Sequence, residues 1–202
     1  MRRHGAIAAL GALLLCLLPA AAQPQSERSA SELMDVLMWN REPVGGPFAL
    51  VDHTGLPRTD AQFRGKLMLV YFGFTFCPDV CPTDLQAIGQ AMQRLGTAAE
   101  AVQPLFVTLD PERDTPQRLA SYVTFFHPRL IGLTGDAKAI AQAAKAYKVY
   151  HAKVATGAGS YTVDHSGYVY LMDREGKYLG FFPPGSPPER MVDVIRPYLS
   201  PR

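Results

Sequence analysis

The chain has little cysteine, one tryptophan and almost no net charge. Three cysteines in 202 residues are too few for the disulfide framework of a small secreted scaffold. Twenty basic residues face eighteen acidic ones, and setting aside Arg2 and Arg3 with the leader described below brings the two signs level. A neutral chain without a basic run gains little from counterion release at a phosphate backbone, which argues against nucleic acid as a partner. There is no internal repeat and no low-complexity tract, so solenoids and arrays fall away. The seven methionines are scattered without a Met-x-Met cluster, which argues against a methionine-only metal site. What is present, 48% apolar residues and 19% charged ones, suits one globular domain plus some extra chain, since domains commonly run about 100–150 residues.

The extra chain lies first. Residues 1–22 read as a leader: charged Met1-Arg2-Arg3, an apolar stretch from Gly5 to Leu18, Pro19, then Ala20-Ala21-Ala22 for signal peptidase. A spanning helix needs about 20 apolar residues, more than this stretch holds before Pro19, so an uncleaved anchor that tethers the protein to a membrane is the second reading. Leu15 stands before Cys16 where a lipid attachment site requires a small residue. The expected product is exported to an oxidising compartment with two cysteines left, Cys77 and Cys81. Residues 23–45 are polar around one amphipathic patch (Leu33, Met34, Val36, Leu37, Trp39) and read as a tether, leaving 46–202 as the domain.

Within that domain a β-hairpin is expected around Gly55 and Pro57, between residues 48–51 and the neighbourhood of Phe63. Residues 66–72 form an unbroken apolar run, the pattern of a strand buried on both faces. Residues 82–95 carry Leu85, Ile88, Met92 and Leu95 at helical spacing, with Pro82 at the start and Gly96 as the stop. Strands at 105–109, 130–133, 149–154, 168–172 and 177–182 and helices at 115–126, 136–148 and 189–199 complete an α/β chain with a mixed sheet flanked by helices.

Cys77 and Cys81 sit between a buried strand and a helix start. Residues four apart in a helical turn lie on one face, separated by about 5.4 Å, within the roughly 4.4–6.8 Å that a disulfide permits. Such a pair can close on itself or hold an ion, and a helix N-terminus favours thiolate for either task. A purely structural disulfide is the bland reading, and so small a loop restrains the unfolded chain little. Two thiolates suit Cu(I), zinc or iron–sulfur clusters, and a mononuclear ion needs a further ligand. Of the histidines beyond the leader, His53 and His127 read as solvated loop residues and His151 as a surface-facing strand residue. His165, beside Asp164 and ahead of an apolar strand, stands equally as ligand or ordinary loop residue, with Asp164 as a candidate to orient the ring.

Three separated motifs then share one pattern: Gly73-Phe74-Thr75-Phe76-Cys77-Pro78-Asp79-Val80-Cys81-Pro82, Asp110-Pro111-Glu112-Arg113-Asp114-Thr115-Pro116, and Val163-Asp164-His165 with Tyr170-Leu171-Met172-Asp173. Together they resemble the Sco/SenC family of copper-binding assembly factors for cytochrome c oxidase, over residues 44–200. The resemblance implies a thioredoxin-like fold with an added N-terminal hairpin, one copper ion per chain as Cu(I) or Cu(II), and Cys77, Cys81 and His165 as its ligands. It implies transfer to the copper centre of oxidase subunit II or another exported copper protein, supply by a copper donor protein, and a place in the periplasm or at the outer face of the inner membrane. Asp79, Asp110, Arg113 and Asp164 are the candidate supports around the site. The bland reading of the second motif is a turn in which Asp114 or Thr115 caps a helix and Arg113 forms a local ion pair.

The competing class is a thiol–disulfide oxidoreductase with Cys77 and Cys81 as its redox pair, keeping the oxidase subunit's cysteines reduced. Thioredoxins use CxxC with a proline opposite, whereas this chain has CxxxC and no proline in Val163-Asp164-His165. A peroxiredoxin-like peroxidase would place threonine three residues before its cysteine, where this chain has Phe74.

Overall fold

The computed structural model describes residues 43–157 and 159–199. The expected leader, Cys16 and the amphipathic patch around Trp39 lie outside the described residues. Among the described residues no helix is long and apolar enough to cross a membrane.

Two strands make the centre because every side chain on them is buried. β3 (Leu67–Gly73) and β4 (Val102–Thr108) are buried throughout, as unbroken apolar runs require when a sheet is covered on both faces. They pair in parallel, and β4 pairs in parallel with β5 (Ile131–Thr134). The connections are α1 (Val80–Leu95) and α2 (Pro116–Val123), the βαβ arrangement that parallel pairing demands. β4 starts three residues earlier than expected and runs through Pro104. Pairing with β5 begins only at Leu105, so Pro104 stands where that side of β4 is still an open edge.

The hairpin is present as β1 (Ala49–Asp52) and β2 (Pro57–Thr59), and β1 also pairs antiparallel with β5. Phe63 lies in a short helical turn beyond β2 rather than on it. Asp52, buried in the turn, accepts from Thr54 N, Thr54 Oγ1, Leu56 N and Arg58 Nε at 2.6–3.1 Å. His53 is not a solvated loop residue: its Nδ1 accepts from Gly132 N at 3.1 Å and its N donates to Gly132 O at 2.9 Å, pinning the hairpin to β5. On the far side β8 (Val169–Met172) pairs antiparallel with β3 and β9 (Tyr178–Phe182). The seven-stranded order is β2-β1-β5-β4-β3-β8-β9, flanked by α1, α2, α3 (Ala137–Ala146) and α4 (Pro188–Ile195). Val44 is buried and Gly45 N donates to Ala146 O, so these two residues pack with the domain.

One element departs from the sequence pattern. β6 (His151–Gly157) and β7 (Ser160–His165) form a separate two-stranded ribbon, where residues 161–165 read as loop. β6 is largely exposed and of β7 only Val163 is buried, so neither strand carries the apolar run that marks strands of the main sheet.

Candidate metal centre

The site forms at the carboxyl end of β3, where the chain leaves the sheet for α1. Gly73 ends β3, and a Cβ there would stand 2.8 Å from Cys81 Sγ and 3.1 Å from the Tyr71 and Phe106 rings. Glycine is required because the sulfur occupies the space a side chain would need. Helix α1 starts at Val80, earlier than expected, which puts Cys81 in its first turn and Pro82 at the third helical position. Proline fits there because the first turn's N–H groups have no intrahelical acceptor.

Cys81 is fully buried and Cys77 half-buried. Both are free thiols, and Cys81 N donates to Cys77 Sγ at 3.4 Å, so the helix end feeds an N–H to the outer sulfur. Cys77 is drawn down to about 4, chiefly by its hydrogen bond with Cys81, against the opposing effect of burial and with help from His165 and the Asp79 and Cys81 backbone. Cys81 is pushed up, by its partnership with the Cys77 charge and by burial. The two thiols are thus driven in opposite directions, the outer one toward thiolate and the buried one toward the protonated form.

The third group arrives from 84 residues away. His165 Nε2 stands 3.3 Å from Cys81 Sγ, and Nδ1 stands 3.1 Å from Ser166 O. A carbonyl can only accept, so in the neutral ring Nδ1 carries the hydrogen and Nε2 keeps its lone pair toward the sulfurs. Phe74 and Tyr71 meet the imidazole edge-on at 5.9 and 6.5 Å between centroids. The ligand atoms of Cys77, Cys81 and His165 all lie within 4.8 Å of one another. Two sulfurs and one imidazole nitrogen form a soft donor set, suited to copper or zinc and unlike the oxygen cages of calcium or magnesium.

The remaining candidates take different places. Asp164 is exposed, and the group oriented toward His165 Nδ1 is the Ser166 carbonyl. Asp79 is exposed at the N-cap of α1 without a side-chain cap, and its carbonyl accepts from Thr83 Oγ1. Asp110 is fully buried, paired with Arg113 Nε and accepting from Tyr161 OH at 2.8 Å. Thr115 caps α2, accepting from Arg118 N. Asp114 is buried and accepts from Thr75 N, Thr75 Oγ1 and Thr108 Oγ1 at 2.6–3.0 Å, tying the second motif to the segment before Cys77. His151 is half-buried in β6, directly across from His165. His127 accepts from Arg129 N at 3.2 Å.

Two buried groups near the sulfurs carry no signal in the spacing. Asp84, one turn beyond Cys81, is fully buried, accepts from Gly185 N at 2.8 Å and has its carboxyl raised by burial. Tyr71, raised by burial and the neighbouring Cys81, lies beneath Cys81 as an ordinary member of an apolar strand.

Known proteins share this fold and part of this sequence. The bovine mitochondrial SCO2 homologue is 42% identical over 77% of this chain and 59% of its own, so this chain spans about three fifths of that relative's length. The structure of Bradyrhizobium japonicum ScoI with copper bound is 42% identical with a TM-score of 0.73, covering 77% of this chain and 99% of that one. Yeast Sco1 with copper bound is 37% identical with a TM-score of 0.72, over 78% of this chain and 89% of that one. The SCO1/SenC family model matches residues 38–200, and with it the chain belongs to the SCO1/SenC family.

Proposed function

We propose that the chain is an exported copper metallochaperone that holds one copper ion between Cys77, Cys81 and His165. It delivers that ion to the copper centre of cytochrome c oxidase subunit II by ligand exchange. The observation that carries this reading is the convergence of two sulfurs and one imidazole nitrogen within 4.8 Å. Three protein donors leave a coordination position open, which a carrier needs to hand its cargo on. Cys77, half-buried and drawn toward thiolate, presents the accessible side of the site, while buried Cys81 forms its floor. An incoming partner ligand enters at the open position, and the segments 75–82 and 155–166 form the docking rim. Residues 1–22, read as an export leader, support siting this exchange in the periplasm or at the outer face of the inner membrane, with a donor protein loading the copper.

The test is anaerobic copper titration of the reduced protein, with X-ray absorption to count sulfur and nitrogen neighbours. Alanine at Cys77, Cys81 or His165 is expected to abolish stoichiometric binding with the fold intact. A His165→Ala protein with native affinity and spectrum defeats the three-ligand reading. Copper transfer from the loaded protein to the metal-free soluble domain of subunit II tests the recipient, and no transfer removes it.

The asymmetry of the two thiols supports a second reading, a thiol–disulfide oxidoreductase acting on the same subunit: a stabilised Cys77 thiolate attacks, and Cys81 resolves the mixed disulfide. Incubating the reduced protein with the oxidised subunit II domain decides it, since no exchange removes this activity.

A further inference from the structure

The three proposed ligands stand on two separate pieces of the fold. The sulfurs belong to the β3–α1 turn of the main sheet, whereas His165 ends β7 in a ribbon whose strands pair only with each other. Arg113 bridges the pieces. Its Nη1 donates to Tyr161 O at 3.0 Å, and its guanidinium lies 3.9 Å from the Tyr161 ring centroid on β7. The same group lies 4.7 Å from the Phe76 ring and 5.9 Å from that of Phe74, on the segment leading to Cys77. Nε donates to Asp110 Oδ2, and Tyr161 OH closes the loop by donating to Asp110 Oδ1 at 2.8 Å.

Side chains alternate along a strand, so Tyr161, Val163 and His165 share one face of the ribbon. Holding Tyr161 therefore holds the face that presents the imidazole. Arg113 itself is a permanent cation with no acceptor lone pair to offer an ion.

We infer that Arg113, anchored by buried Asp110, is a positioning residue that keeps His165 within reach of the sulfurs. The inference rests on the three-ligand reading. Arginine is suited to the task because one planar fork can hydrogen-bond a carboxylate and a carbonyl while its face stacks on a ring; lysine can do only part of this.

The experiment is a double-mutant cycle in the full chain, with Cu(I) affinity read by competition against bathocuproine disulfonate. Arg113→Met is expected to weaken Cu(I) binding roughly 10- to 100-fold, the scale of other groups that orient a metal ligand. It is expected to change nothing further in the weak residual Cu(I) affinity that the two sulfurs keep in a His165→Ala background, because both substitutions act through one imidazole. Arg113→Lys recovers only part of the loss. In the metal-free protein, imidazole ¹⁵N spectra are expected to show one His165 tautomer in the native chain and averaging in Arg113→Met. If Arg113→Met does not fold, Tyr161→Leu removes the ring face and the hydroxyl bond to Asp110 while keeping the main-chain acceptor, and its smaller loss of affinity is expected to vanish in the His165→Ala background in the same way. Equal losses in both backgrounds, or none in the native background while His165→Ala still weakens binding, overturn the positioning role. Native affinity in His165→Ala instead defeats the three-ligand reading.

Discussion

The cysteine turn and the histidine ribbon contribute to one site and are built to opposite specifications. The turn grows out of β3, every residue of which is buried and which is paired on both sides, to β4 and β8. The ribbon has two strands, and most of β6 is exposed. Elements with few buried apolar contacts open locally at less free energy than the global unfolding that core strands require. The sulfurs therefore stand on the rigid part of the molecule and the imidazole on the part that yields. A carrier gains from this division, because an ion held by two fixed donors and one mobile donor can be tightly bound and still released.

The largest effect that could break the comparison comes from Gly73→Ala. Its new Cβ stands 2.8 Å from Cys81 Sγ, with buried aromatic rings on its other sides, so it displaces the sulfur. Overpacking of this kind costs about 1–3 kcal/mol, and copper binding is expected to fall with it. Gly157→Ala at the ribbon tip meets nothing within 4 Å and has only its positive φ of 94° to strain. It is expected to leave copper affinity native. Denaturant unfolding and copper titration of the two variants measure both effects, and native copper affinity in Gly73→Ala contradicts a rigid cysteine half.

A smaller effect sharpens the same contrast. Amides of β3 and β4 are expected to exchange only through global unfolding, and those of β6 and β7 through local opening. Copper loading is expected to slow exchange in the ribbon selectively, since the ion ties it to the turn. Uniform protection across all four strands in the metal-free protein contradicts the division.

The legible half of the molecule was the rigid half. β3 is readable because residues 67–72 are apolar without interruption, and α1 because Leu85, Ile88 and Met92 recur on one face. Cys77 and Cys81 are readable as a pair because four residues close one helical turn. The ribbon is not readable in this way: Ser160-Tyr161-Thr162-Val163-Asp164-His165 buries one side chain, and a strand without a buried face leaves no apolar pattern. His165 stood level with an ordinary loop histidine on its local sequence and gained weight only from the resemblance of three motifs taken together. Arg113 was readable as a local ion pair or as a support of the site, but its contact with Tyr161, 48 residues on, is a tertiary fact with no local signal. Asp79 and Asp164 drew attention by adjacency to the ligands, and adjacency in sequence placed both on the exposed side of their elements.

The smallest expected effect lies in the pH dependence of the reduced, metal-free protein and separates the two sulfurs. In the unfolded chain both thiols titrate near pH ~8.5. Cys77 is drawn down to about 4 in the fold, so its contribution to stability is complete above the unfolded value and is lost as pH falls through about 4. Cys81 is pushed up, so its contribution is complete below the unfolded value and is lost as pH rises beyond it. The pair thus favours the fold most near pH ~8.5, where the two trends meet. Cys77 is only half-buried, so solvent screening reduces the shift and with it the pH window over which the slope persists. Denaturant unfolding between pH 5 and 8 is expected to show stability rising more steeply in the native chain than in Cys77→Ser. Thr156→Ala, on the exposed edge of the ribbon, is expected to keep the native slope. If Cys77→Ser keeps it as well, the charge does not reside on the outer sulfur, and the accessible side of the site is not the nucleophilic one.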